Sequence, residues 1–305
     1  MIGVYTVLLH GKNFQLFSTE GIIADQEKNL IIFTVLLGCT IVIPVIIMTF
    51  AIAWHYREGN TKAAYRPEWS GSLVAESIWW IIPTIIIGIL AVVIYQSSHA
   101  LDPFKELSSS TKPVRIQVVA LEWRWLFIYP DEKVASINYV KFPVDTPVNF
   151  TITSDAPMNA FWIPQLSGQV YAMSGMSTQL HLAARTPGDY RGSSANISGL
   201  GFAGMNFTAS AVSKDEFTTW TDLLRSGSKP LDKEVYKGLA QKTCDTTKYQ
   251  FKLTDPNLYN EVINKYMDPN AALGTTGGND ASSEGSEPKN CMNKTIVSSV
   301  LEGEQ

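Results

Sequence analysis

The amino-acid sequence predicts two membrane-spanning α-helices followed by an exported β-sandwich or barrel and a short helical C-terminal region. Three observations carry this reading. Two long uncharged apolar runs fall within the first hundred residues, short alternating or β-branched segments follow them, and the periodicity turns helical near residue 214. At 305 residues the chain is long enough for one large domain or two smaller ones. Its formal net charge of -4 argues against a nucleic-acid partner, whose phosphates call for a clustered basic face.

Residues 1–29 form an N-terminal segment whose apolar stretch is short and lacks a basic start and a small-residue cleavage site, so it makes a poor signal peptide. Leu30 to Trp54 is a run of 25 residues without a charge, and Ser77 to Ser98 is another of 22. At about 1.5 Å of rise per residue each exceeds the roughly 30 Å of bilayer hydrocarbon, so residues 30–99 should form a two-helix hairpin across the membrane. A buried helix of a water-soluble protein is the alternative, and two such runs so close together argue against it. Pro44 and Pro83 are tolerated where neighbouring helices satisfy the freed backbone groups. The connecting loop, 55–76, carries Arg57, Lys62 and Arg66, whereas Lys28 before the first span is balanced by Asp25 and Glu27. The basic excess places the loop in the cytoplasm and everything after residue 99 on the other side, the periplasm of a bacterium. Trp54, Trp69, Trp79, Trp80 and Tyr95 fall near the span ends, where amphipathic rings favour the interface.

Residues 100–213 follow as the exported β-domain. After a polar linker, VRIQVVA, WRWLFIY, VNFTITS, QLHLAA and NFTASAV each read as a strand, separated by turn residues such as FPVDTP and RTPGDY. Residues 214–267 turn helical: KDEFTTWTDLLR, LDKEVYKGLAQKT and DPNLYNEVINKYM each have a short amphipathic pattern, with Asp255 and Pro256 as an N-cap and first-turn pair for the last. Residues 268–305, rich in Gly, Ser, Asn and Glu, are expected to be disordered. Cys244 and Cys291 flank that region in an oxidising compartment, so they either form a disulfide or stay as two separate thiols. The four histidines and three cysteines leave no CxxC or HxxxH spacing for a structural zinc or a thiolate-held metal.

The stretch SSANISGLGFAGM, Ser193 to Met205, keeps a spacing that suits metal ligands: Ser194 and Ser198 stand four apart and Met205 follows seven later. Together with ALEWRWLFIYP, SDAPMNAFWIPQLSGQVYAMSGMSTQLHLAARTPGDYRG and VINKYM, this stretch resembles subunit II of the heme-copper respiratory oxidases, closest to the cytochrome bo-type ubiquinol oxidases. The resemblance covers roughly residues 20 to 267. It implies a cupredoxin-like Greek-key β-sandwich for the exported domain. In the cytochrome c-oxidising branch that sandwich holds a dinuclear copper centre, with two bridging thiolates, two histidines, a methionine and a backbone carbonyl.

Placed on that pattern, the thiolate positions are Ser194 and Ser198, the carbonyl position is Asn196, the histidine positions are Asn159 and Phe202, and Met205 alone still matches. Hydroxyl, amide and phenyl groups do not replace the soft sulfur and imidazole donors that copper wants, so no metal is expected here. The resemblance therefore implies a chain with no cofactor of its own and no cytochrome c partner. Hemes, copper and ubiquinol would lie in subunit I, with subunits III and IV as further partners in a bacterial inner membrane. A menaquinol-oxidising relative and a free-standing membrane-anchored binding module are the rival readings. The resemblance also marks Glu76, at the cytoplasmic mouth of the second span, as a proton-channel entrance, against the plainer reading of an interfacial acid. Trp123 and Trp125 are implied as packing against subunit I rather than as an electron path. Met173 and Met176 read as packing residues, and His181, between Leu180 and Leu182 on a strand, as a poor ligand. Several bo-type relatives begin with a lipoprotein signal ending in an acylated cysteine, whereas no cysteine precedes Cys39 here.

Overall fold

The computed structural model describes residues 17–64, 68, 70–107, 109 and 111–267. The expected disorder of 268–305, Cys291, Trp69, Arg66 and the first sixteen residues lie outside the described residues. The chain divides into two units, one running from Gln26 to Asp102 and the other joining the residues up to Asp25 with those from Pro103 onward.

The first unit is made by α1 (Ile22–His55) and α2 (Leu73–Ala100). Both are longer than the apolar runs that predict them, because polar turns extend each helix beyond its hydrophobic stretch. At about 1.5 Å per residue both exceed the bilayer core. Ser72 caps α2, its Oγ accepting from Ala75 N at 3.4 Å. Neither Pro44 nor Pro83 interrupts its helix. Among the described residues of α2 none is buried, and Phe50, Trp54, Trp79, Trp80 and Tyr95 are each more than 60 % exposed. Helices this apolar and this uncovered require lipid or another subunit around them.

The second unit is a two-sheet sandwich. Its larger sheet runs in the order β11-β12-β3-β2-β1-β5-β8 and its smaller sheet β4-β10-β9-β6-β7. The strands are β1 (Val114–Leu121), β2 (Arg124–Tyr129), β3 (Val134–Ile137), β4 (Tyr139–Pro143), β5 (Val148–Ser154), β6 (Asn159–Trp162), β7 (Gln169–Ala172), β8 (Thr178–Leu182), β9 (Gly188–Ser194), β10 (Asn206–Val212), β11 (Lys229–Leu231) and β12 (Tyr249–Leu253). The five strands expected from sequence are β1, β2, β5, β8 and β10; the other seven emerge only in the structure. Both sheets are mixed, with β1 parallel to β5 and β4 parallel to β10.

Between the sheets Trp125, Phe127, Phe150, Phe161 and Phe207 form the core. Phe161 and Phe207 stack at 5.0 Å, and Trp125 meets Phe161 edge-on at 5.3 Å. The chain passes from one sheet to the other at Asn138, whose left-handed φ of 54° makes the corner. Its buried side chain accepts from Trp125 N at 3.0 Å.

A second core lies on the outer face of the larger sheet, where Val119, Leu121, Leu126 and Ile128 meet Tyr236, Leu239, Leu258 and Val262 from the C-terminal region. That region contains α3 (Lys214–Gly227), α4 (Lys233–Leu239) and α5 (Leu258–Asn264). Helix α3 is capped by Ser213 and turns Phe217, Trp220, Thr221 and Leu224 inward at helical spacing. One expectation is corrected. Asp255 and Pro256 do not cap α5: its N-cap is Asn257, and Asp255 instead accepts from Asn257 N at 2.9 Å in the turn before the helix. The proline stands two residues ahead of the first helical residue.

Residues Ser18 to Asp25, expected as part of a separate N-terminal segment, strap onto the sandwich. Glu20 N and Gly21 N donate to Gln165 O at 2.8 and 3.0 Å, Arg185 N donates to Glu20 O at 3.0 Å, and Asp25 pairs with Arg185. Gly21 is required there, since a Cβ would lie 2.2 Å from Leu166 O.

His181 faces away from the main core yet is 2 % exposed, and both ring nitrogens lack a hydrogen-bond partner. Desolvation holds its pKa below the ordinary imidazole value, only partly countered by the Glu106 carboxylate. The unfolded chain therefore binds the proton more readily. Stability is flat above the unfolded pKa of about 6.5 and falls as pH drops from there toward the lower folded pKa. The melting temperature of the wild type is expected to fall as pH is lowered from about 7.5 through about 6.5 toward 5.5, with a shallower slope in His181→Leu. Equal slopes for the two proteins would contradict this.

Candidate functional site

Three strands and one loop bring the ligand-like positions together. Asn159 opens β6 and Ser194 closes β9, strands that pair antiparallel with Ser194 opposite Phe161. Ser194 is thus the end of a strand, and the loop proper begins after it. Met205 follows the single 3-10 turn Phe202–Gly204 and precedes β10. Its carbonyl accepts from Ser194 N at 3.2 Å. Ser194 Oγ donates to Asn159 Oδ1 at 3.0 Å and lies 3.3 Å from Asn196 O. Asn159 Nδ2 donates to Pro157 O and Asn196 Nδ2 to Met158 O, each at 2.7 Å. The Met205 side chain is buried, and Ser198 Oγ is buried without a partner.

The geometry is that of a small polar crosslink. Amide and hydroxyl groups tie β6, β9 and the loop together with neutral hydrogen bonds, each contributing about 1 kcal/mol. The donor set does not fit copper: two neutral hydroxyls and an amide are hard and uncharged, Phe202 donates nothing, and one thioether remains. Among the described residues no group of three or more His, Cys, Asp or Glu side chains converges.

Trp123 closes the site from the other sheet. The β1–β2 hairpin turns on two residues, Glu122 and Trp123, with Leu121 paired to Arg124. Trp123 occupies the left-handed region at φ 63°, rare for a bulky side chain. The indole lies flat on the loop, donating from Nε1 to Ser198 O at 3.1 Å. Glycine is needed beneath it, because a Cβ on Gly201 would fall 2.2 Å from the ring. This revises the expected surface role of the two tryptophans. Trp125 is fully buried in the chain's own core and has no surface to offer a neighbouring subunit, and Trp123 is 8 % exposed. Met173 and Met176 stand apart from the site, both backbone carbonyls accepting from Thr153 Oγ1.

A second polar cluster, not anticipated from sequence, begins four residues before Asn159. The Asp155 side chain is 1 % exposed. It accepts from Tyr236 Oη at 2.6 Å, Tyr266 Oη at 2.6 Å and Lys265 Nζ at 2.7 Å. Burial, and then the Asp155 charge, push both tyrosine hydroxyls above their ordinary pKa. The only sequence signal was the presence of Asp155 and of Lys265 and Tyr266 within the SDAPMN and VINKYM stretches, more than a hundred residues apart.

Glu76 lies in the first turn of α2, its Oε1 against the backbone of Gly71. Cys39 is a free thiol and Cys244 is disulfide-bonded.

Residues 225–270 match the pattern described as the COX aromatic rich motif. The chain is 46 % identical over 260 residues to the cytochrome bo(3) ubiquinol oxidase subunit 2 of Pseudomonas putida, covering 85 % of this chain and 83 % of that one. It is 44 % identical over 262 residues to the ubiquinol oxidase subunit 2 of Acetobacter aceti, covering 85 % of each. With the quinol oxidase subunit 2 of Bacillus cereus the identity is 35 % over 231 residues, covering 75 % of this chain and 79 % of that one. Among solved structures, the periplasmic domain of cytochrome oxidase subunit II of Bradyrhizobium japonicum superposes on 38 % of this chain and 95 % of its own, at 20 % identity and a TM-score of 0.36.

Proposed function

Since this chain belongs to the subunit II family of the quinol-oxidising heme-copper oxidases, we propose that it serves a proton-pumping ubiquinol oxidase of a bacterial inner membrane as its non-redox subunit. The observation that supports this is the donor set at the positions the resemblance assigns, Asn159, Ser194, Ser198 and Phe202: hydroxyl, amide and phenyl groups whose chemistry rejects copper, with Ser194 Oγ already bonded to Asn159. A one-electron donor docking on the β-domain would find no relay there. A quinol dissolved in the bilayer needs none, because it reaches the membrane-embedded partner directly. Hemes, active-site copper and the quinol site belong to subunit I, with subunits III and IV completing the assembly. The greater identity to relatives named for ubiquinol than to those named for quinol alone favours ubiquinol as donor.

The two uncovered apolar helices are the surface that a heme-bearing subunit and lipid would cover. The basic loop between them supports a cytoplasmic loop and a periplasmic β-domain. Gentle detergent extraction tests the whole reading. A heme-bearing large subunit should co-purify and oxidise ubiquinol, whereas a chain that purifies alone without heme would refute it.

Within this function Glu76 is the proposed proton-channel entrance. A carboxylate at the cytoplasmic mouth of a span can collect protons and pass them inward through ordered water. Its place in the first helical turn also suits it to the helix dipole, which a purely structural acid would share. Glu76→Ala is expected to slow turnover and proton uptake by about tenfold or more while the complex still assembles. Unchanged turnover across the pH range would remove the role. Cys244 is proposed to pair with Cys291, tying the tail to the C-terminal helices.

A further inference from the structure

Leu180 and Leu182 of β8 enter the main core, so His181 between them turns its ring to the outer face of the larger sheet. The residue is 2 % exposed there, and neither ring nitrogen has a hydrogen-bond partner among the described residues. A neutral imidazole always carries one donor and one acceptor, and buried groups of both kinds are normally paired. Across the ladder from His181 stands Asn149 of β5, and beyond it Arg115 of β1, which is engaged with Asp131. The segment leading into β1 runs over this row. Its Glu106 Oε1 lies 3.5 Å from Asn149 Nδ2, and Glu106 is the charged group that acts on the imidazole. Lys105 and Glu106, the two charged residues of that segment, are both exposed, so the cover over the ring is thin.

We propose that residues 103–106 are a proton-operated lid over His181, closed while the ring is neutral and released when it takes a second proton. An imidazolium has two donors and a full charge, and a dry site holds it only with a well-placed counter-ion. The Glu106 carboxylate sits in the cover itself and already faces Asn149, so it offsets the desolvation only in part. Water must therefore reach the ring, and the segment gives way more readily than the strands of the sheet beside it. An imidazole open to water has a pKa of about 6.5, so going from about pH 7.5 to about pH 5.5 shifts the ratio of open to closed by about tenfold. Glu122 and Glu132, whose carboxyls burial holds above their ordinary range, belong to the β1–β2 and β2–β3 turns and not to this row. In a proton-pumping oxidase the exported face is where protons accumulate, so the lid would open under load. That use rests on the function proposed above; the lid itself does not.

The test is hydroxyl-radical footprinting of the intact detergent-purified oxidase at about pH 7.5 and about pH 5.5, which labels a side chain only where water reaches it. Labelling of His181 is expected to rise about tenfold at the lower pH, while Phe127 in the core stays unlabelled at both. Glu106→Gln leaves the ring in place and removes the carboxylate, and its His181 should still show the rise. In His181→Leu, position 181 should label equally at the two pH values. Equal labelling of His181 in the wild type overturns the lid. So does a rise matched at Phe127, which would mean that the whole domain opens, and so does loss of the rise in Glu106→Gln, which would make the carboxylate the titrating group. Ubiquinol turnover of the same preparation reads the proposed function separately, so failure of one is not mistaken for failure of the other.

Discussion

The native oxidase should oxidise ubiquinol, leave reduced cytochrome c untouched and carry no copper on this chain. Four substitutions, Asn159→His, Ser194→Cys, Ser198→Cys and Phe202→His, should convert the same β-domain into a coloured centre holding about two coppers. Part of the arrangement is in place. Asn159 and Ser194 are in hydrogen-bond contact, the Asn196 carbonyl faces Ser194 Oγ, and Met205 is bonded to the Ser194 amide. Cysteine in place of serine supplies anionic sulfur at the two bridging positions, and imidazole replaces groups that donate weakly or not at all. Metal analysis and visible absorption of the folded variant read the outcome. A folded variant that stays colourless would show that the loop positions are misassigned. Copper on the native chain together with rapid cytochrome c oxidation would end the quinol reading itself.

The Asp155 cluster carries the second large effect. Among the described residues its carboxylate accepts from both the Tyr236 and Tyr266 hydroxyls and from Lys265, and it joins the end of β5 to α4 and to the residues following α5. Asp155→Ala leaves the buried Tyr236 hydroxyl without an acceptor and removes the shared partner of Tyr266 and Lys265, both of which reach solvent. A charge-assisted bond to a buried group contributes about 1.5–3 kcal/mol, so with the solvent-screened Tyr266 and Lys265 contacts adding little the cost should reach about 2–3 kcal/mol. The loss is local, because α4 and α5 otherwise rest on one face of the larger sheet. Limited proteolysis of the intact complex should therefore cut within residues 232–267 about a hundredfold faster. Asp155→Asn, which keeps the shape and one acceptor but loses the charge, should fall between. Cleavage unchanged in the alanine variant would mean that apolar packing alone holds the region.

Much of the architecture was legible because it is encoded locally. The two spans announce themselves by length and lack of charge, and β1, β2, β5, β8 and β10 by β-branched or alternating residues. Helix α3 shows its apolar face at helical spacing, whereas the ligand positions were assigned only through the family resemblance. The missed strands explain themselves. β3, β6 and β7 have four residues each, too few for a period of two to stand out. β9, GDYRGSS, has glycines and polar residues that disfavour a strand, yet it is held between β6 and β10.

What the sequence by itself determined is which segments are apolar, how far they extend and which donor atoms the loop after Ser194 can offer. Only the tertiary structure decided that Trp123 would turn left-handed to lie over Gly201, that Trp125 would be spent in the core, and that Asp155 would meet Tyr236 and Tyr266. The reason is physical. A side chain's polarity and a short period are properties of neighbours in the chain, whereas a strained turn or a buried charge is tolerable only when distant residues arrive to compensate it, and nothing local specifies their arrival.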